Sequence, residues 1–166
     1  MTRTRMVVLV AAVAAAVFAG SILPSVAQVP IASEILTPRS VFPDDVRLKV
    51  KIAMPDGGMD VVNVKDPSRT VVGRFTVQPG AQFPWHTHAG PVFVNVVQGT
   101  LVYVPAPDCD ERAYPAGTAF VDPGHGHVHS AFNPGPGETI FVATFFEAPP
   151  EPAPLLIPAD APACAV

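Results

Sequence analysis

The stretch PWHTHAGPVFVNVVQG (Pro84–Gly99) sets two histidines one residue apart, just before a run of strand-forming Val and Phe. The chain of 166 residues has five histidines, and the other three sit together in PGHGHVHSAFN (Pro123–Asn133). In a β-strand, residues i and i+2 point to the same face. His86 and His88 therefore project together while Thr87 faces away. Imidazoles at this spacing can bind one metal ion, and a third ligand must arrive from a different strand. His129, near the start of HVHSAFN, can face the pair across a barrel interior. Such ligands suit Zn, Fe, Ni or Cu without choosing among them. The plainer alternative is a solvated polar edge. Functionless histidines would have no reason to avoid the rest of the chain, so the clustering favours metal binding.

Outward from these blocks the chain is punctuated by Gly and Pro at short intervals. VRLKVKIA (Val46–Ala53) alternates apolar and basic residues, the period of a half-buried strand. MDVVNVK (Met59–Lys65) and RTVVGRFTV (Arg69–Val77) read as strands, followed by VFVNVV, TLVYV, TAFV and ETIFVATFF. About eight or nine short strands with no amphipathic helix predict an all-β barrel or two-sheet sandwich. No internal repeat is present, so one barrel over residues 46–147 is the simplest architecture. Residues 28–45 read as an N-terminal extension in which Ser33–Leu36 could form one helical turn, limited by the flanking prolines. Residues 148–166 form a Pro-rich tail, expected to run extended along the barrel surface and to be held near its end by Cys164.

Residues 1–27 read as a secretory signal peptide. MTRTR carries two arginines, Met6–Gly20 is apolar, and Ser25-Val26-Ala27 offers small residues for cleavage after Ala27. An uncleaved anchor is the competing reading, disfavoured by Pro24. Loss of Arg3 and Arg5 takes the net charge from −4 to −6. That acidic balance argues against nucleic acid or an anionic membrane as a partner once the signal is removed. The protein is expected to be secreted or periplasmic. Export makes a disulfide between Cys109 and Cys164 the default, contributing about 4 kcal/mol in the chain-entropy model. Two unpaired thiols are the alternative. Neither cysteine lies near a histidine in sequence, so neither is counted as a ligand.

Both histidine blocks resemble the two motifs of the cupin superfamily, small jelly-roll barrels built as a double-stranded β-helix. The first motif appears as Gly80, His86-Thr87-His88, Val92 and Gly99. The second appears as Gly117, Pro123, Gly126, His129 and Asn133, with one residue inserted between Pro123 and Gly126. The resemblance, to the type-2 conserved-barrel kind, implies a single cupin barrel with His86, His88 and His129 as metal ligands. It departs from the pattern at Val92, which stands where the family places a glutamate ligand. Three neutral imidazoles would leave a divalent ion (Fe, Zn, Ni, Mn or Cu) with its full charge and open positions. Some cupins with three-histidine sites are thiol or diketone dioxygenases, so the missing glutamate is compatible with iron chemistry. The family also often dimerises by strand exchange, which makes a homodimer through residues 28–53 an open possibility.

His127 shares parity with His129. If the strand begins by Gly126 it is a fourth ligand or a proton carrier; otherwise it is a turn residue facing solvent. His125, between two glycines, reads as exposed. Val94 and Val96 continue the parity of His86, His88 and Val92, and Tyr103 follows on the next strand. Phe75, Phe83, Phe93, Phe120, Phe132 and Phe141 read chiefly as core, and Trp85 as packing on the opposite face. Asp122 is a turn cap or, alternatively, a base or partner of the site.

Two functions remain open. One is an exported metal-dependent oxygenase of Fe type acting on a small organic molecule through the three histidines. The other is a non-catalytic module that binds a small ligand or a metal. No nucleophile motif, phosphate loop or nucleotide-cofactor signature is present.

Overall fold

The computed structural model describes residues 30–53, 58–64, 67, 69–106 and 108–163. Every regular element among them is a strand. In chain order they are β1 (Ile31–Ser40), β2 (Leu48–Ala53), β3 (Met59–Val64), β4 (Thr70–Val77), β5 (His86–Thr87) and β6 (Val92–Gln98). There follow β7 (Thr100–Pro105), β8 (Arg112–Pro115), β9 (Ala119–Asp122), β10 (His129–Phe132), β11 (Thr139–Phe145) and β12 (Ile157–Pro158). One five-stranded sheet has the order β1-β4-β11-β6-β9, and a second has β12-β5-β10-β7-β8. All pairings are antiparallel. The all-β architecture expected from the punctuation, and the jelly roll implied by the motif resemblance, are what the structure has.

Alternation in the sequence fixes what lies between the sheets. Val71, Phe75 and Val77 of β4, Val92, Val94 and Val96 of β6, and Phe141, Ala143 and Phe145 of β11 are buried. Leu101 of β7 and Ala131 of β10 meet them from the second sheet, giving one core. Full burial of Val71, Val77 or Val92 stabilises the fold by about 1.5–3 kcal/mol each. Phe141 and Phe75 are ladder partners, so their rings stack with centroids 4.9 Å apart. Asn133, the last residue of the second histidine block, closes the end of the barrel. Its Nδ2 donates to the carbonyls of Val77 and Gly137, and its Oδ1 accepts from the Gly135 N–H.

Three regions differ from the sequence expectation. Ser33–Leu36 is not a helical turn: it lies within β1, which pairs along β4. β-Branched Ile31, Ile35 and Thr37 favour extended backbone, and an edge position tolerates Pro38, with register shifts on either side of Thr37. The strand expected over Val46–Ala53 begins at Leu48 and pairs only with β3, in a separate two-stranded sheet. The Pro-rich tail contributes a strand of its own, because Ile157 and Pro158 pair with Thr87 and His86 of β5. Arg39 anchors the tail's start, bonding the carbonyls of Pro149 and Ala153 and the Glu151 carboxylate. The signal peptide over residues 1–27 and the partner cysteine, Cys164, lie outside the described residues.

Candidate metal centre

Register brings the histidines together. His129, first residue of β10, is the ladder partner of His86 in β5. His88 lies one residue beyond β5, on the same side as His86. One ring nitrogen from each of the three histidines lies within 4.8 Å of the other two. Ring centroids are 4.2 Å apart for His86 and His129, and 4.9 Å for His86 and His88.

All three rings are buried, and each has its Nδ1 occupied by protein oxygen. His86 Nδ1 is 2.7 Å from the Pro84 carbonyl, and His88 Nδ1 is 2.8 Å from the Leu155 carbonyl. His129 Nδ1 faces the His127 carbonyl at 3.4 Å and Asp122 Oδ2 at 3.1 Å. Oxygen acceptors on Nδ1 place the proton there, which leaves the lone pair on Nε2. Orientation of this kind fixes the tautomer a metal ligand needs.

Residues 73–145 match the cupin domain family, and they span both histidine blocks and the strands that carry them. The fold is a cupin barrel. No curated protein matches the chain. Among solved structures, an oxalate oxidase is 27% identical, with 46% of this chain and 41% of that one covered and a TM-score of 0.42. A cupin-like protein from Thermotoga maritima is 24% identical over 47% of this chain and 57% of its own, with a TM-score of 0.43. KdgF from a Halomonas species is 17% identical over 69% and 77%, with a TM-score of 0.46. The chain thus spans well under two thirds of the first two, and these partial likenesses say nothing of its reaction.

The interior of the cupin barrel sets the charge state of the site. Burial, then repulsion from His129, lowers the pKa of His86 from 6.5 to about 4. Burial, then repulsion from His88, lowers that of His129 to about 3. His88 is lowered too, chiefly by burial. At neutral pH the rings are therefore unprotonated donors. Three convergent neutral imidazoles, each braced from behind, fit a divalent ion.

The cavity beside them has about 40 Å³ open to the centres of water molecules, room for a water or a few non-hydrogen atoms. Its other walls are mostly apolar, with Phe83, Val92, Phe141 and Phe145 among them. Tyr103 and Asp122 are the polar exceptions. Tyr103 donates its hydroxyl to Asp122 Oδ2 at 2.6 Å. Burial and then the Asp122 charge push its pKa well above the usual tyrosine range, so the hydroxyl keeps its proton.

Strand parity points His86, His88, Val92 and Val94 to one side, and the motif resemblance adds His129. All five line this cavity, as does Tyr103, whose facing the sequence left open, while Val96 lies in the core instead. Parity fails for His127. The strand starts at His129, not Gly126, so the i, i+2 rule does not reach back to residue 127. Its ring is 43% exposed, with Nε2 3.2 Å from Asp60 Oδ2, and it is not one of the three that converge. His125 is exposed, as expected, and also pairs with Glu147 at 2.5 Å. Asp122 is placed both as turn cap and as neighbour of the site: Oδ1 accepts from the Gly124 N–H, and Oδ2 sits against His129. Of the six phenylalanines, Phe75, Phe83, Phe120 and Phe141 line the cavity. Phe93 instead packs on Phe146.

Two participants were not foreseen. Phe145 meets His88 edge to face at 5.3 Å, and its parity with Phe141 along ETIFVATFF was a usable signal. The Leu155 carbonyl, which orients His88, carries no side-chain signature. The inserted residue in the second motif also finds its use. Gly124 has φ 63°, and a Cβ there would stand 2.0 Å from the Gly90 carbonyl oxygen. This close approach lets the His125 N–H bond the His88 carbonyl at 3.0 Å, tying the second block to the first.

Proposed function

We propose that the chain is an exported metal-dependent cupin, with His86, His88 and His129 holding a divalent ion that acts on a small organic molecule. The observation that carries this reading is the convergence of three neutral, backbone-braced imidazoles on one small, mostly apolar cavity. A site with three protein ligands keeps positions open to substrate, whereas structural sites usually close their shell. A bound ion would supply Lewis acidity and, if iron, redox chemistry with dioxygen. The protein's own part is to exclude water with Phe75, Phe83, Phe141 and Phe145 and to hold the three donors at fixed tautomers. Tyr103, with its proton held toward Asp122, serves as a polar contact rather than a base.

A second reading, capture of a metal or ligand without reaction, has one observation in its favour: the cavity's one carboxylate, Asp122, has both oxygens engaged, by the Gly124 N–H and the Tyr103 hydroxyl. The N-terminal apolar segment supports export, and an oxidising compartment would let Cys109 pair with Cys164.

Metal content decides first. Mass spectrometry of the purified mature protein should find a stoichiometric transition metal, lost in His86→Ala and His129→Ala. Equal content in all three overturns the site. Oxygen uptake with thiols, phenols and diketones then tests turnover, and silence across the panel favours the binding reading.

A further inference from the structure

The cavity holding the three rings contains a single carboxylate. Asp122 is 1% exposed and lines the cavity beside His86, His88 and His129. Its hydrogen bonds come from neutral donors, the Gly124 N–H at 2.8 Å and the Tyr103 hydroxyl at 2.6 Å. Among the described residues no lysine or arginine pairs with it, and the nearby nitrogen is Nδ1 of His129 at 3.1 Å. A buried carboxylate lacking a cationic partner is costly. A divalent ion on three neutral imidazoles in an apolar cavity has the opposite excess. The two imbalances cancel if they share the cavity.

We propose that Asp122 is the counter-charge of the metal site, acting across His129 and through space without coordinating. It stands apart from the three nitrogens that converge within 4.8 Å, which are all imidazole. Position 92, opposite Asp122 in the β6–β9 ladder, contributes only an apolar side chain. The negative charge therefore sits behind a ligand instead of among the ligands. An open coordination position stays available while the net charge of the site falls by one. Asp122 is in this sense a positioning residue, and the inference rests on the metal-binding reading above.

Cobalt(II) affinity, by chelator competition, and azide affinity of the cobalt-loaded protein should be compared in wild type and Asp122→Asn. Asparagine keeps an oxygen for the Gly124 N–H, so the turn survives while the charge is lost. The acceptor that Oδ2 gives to Tyr103 and His129 goes with it, a loss that by itself would weaken cobalt without tightening azide. Cobalt affinity should fall by about 10–100-fold, while azide, an anion, should bind several-fold more tightly to the more positive centre. A purely structural role would weaken both or neither, and either result overturns the proposal. Unchanged cobalt affinity also overturns it. Wild type that takes up no cobalt would instead overturn the metal reading itself, and the counter-charge with it.

Discussion

Val92 and Asp122 face each other across the β6–β9 ladder, and both side chains reach the cavity that holds the three histidines. One wall position therefore offers an isopropyl group where its partner offers a carboxylate. Val92→Glu would place a second acid in the same buried space. With no metal the two carboxylates repel and neither has a cation, so the apo variant should lose about 2–4 kcal/mol. Carboxylate donors suit Mn better than imidazole alone does. Mn(II) should then raise the melting temperature of the variant more than that of wild type. Thermal melts with and without Mn(II) check both halves, and an apo variant as stable as wild type would show that position 92 does not face the site.

The apo protein should weaken as pH falls. Its buried histidines have pKa values depressed to about 4 at His86 and about 3 at His129, against 6.5 unfolded. Below 6.5 the unfolded chain takes up protons that the folded chain refuses. Each such ring then costs about 1.4 kcal/mol of stability per pH unit, until pH reaches its folded pKa. Urea denaturation of the apo protein between pH 7.5 and 4.5 should show the loss beginning near 6.5. His129→Gln should flatten the curve, and an unchanged slope in that variant would mean that the ring is solvated.

How much of this was legible in the chain follows from what each feature depends on. The i, i+2 parity of His86 and His88 needs only local strand geometry, and Val92, Val94 and Val96 follow by the same rule. That His129 meets them depends on register between β5 and β10, which the resemblance to known motifs carried and the periodicity did not. His127 failed because a parity argument holds only inside a strand, and Gly124-His125-Gly126, all at positive φ, keeps the chain out of one until His129. β1 was missed because prolines were weighed as limits on a helix, whereas the same residues are admissible in an edge strand. The part played by Leu155 is a main-chain carbonyl, and no side-chain pattern announces it.

That carbonyl makes the tail part of the site. Leu155 O accepts from His88 Nδ1 at 2.8 Å, and Leu155 and Leu156 pack against the core. Deletion of residues 155–166 should lower cobalt affinity by about 10-fold, because the His88 ring loses the acceptor that sets its tautomer. A shorter deletion, residues 160–166, removes Cys164 but keeps Leu155 and β12. It should bind cobalt as wild type does. Equal losses in the two deletions would assign the effect to the cysteine instead.

His127 gives the sharpest test of the ligand set, since it is the histidine nearest His129 in sequence and yet stands outside the cluster. Its ring is half exposed, against Asp60, and an exposed pair of this kind contributes about 0–1 kcal/mol. His127→Ala should therefore melt within a few degrees of wild type and keep its metal content within about twofold, given that the buried donors are untouched. The backbone carbonyl that faces His129 Nδ1 is retained in the variant, so the tautomer of His129 is preserved. His129→Ala, measured alongside, should lose the metal. If the two variants lost it equally, the side chain of residue 127 would have to swing from Asp60 into the cavity on binding, and the site would be a four-histidine one.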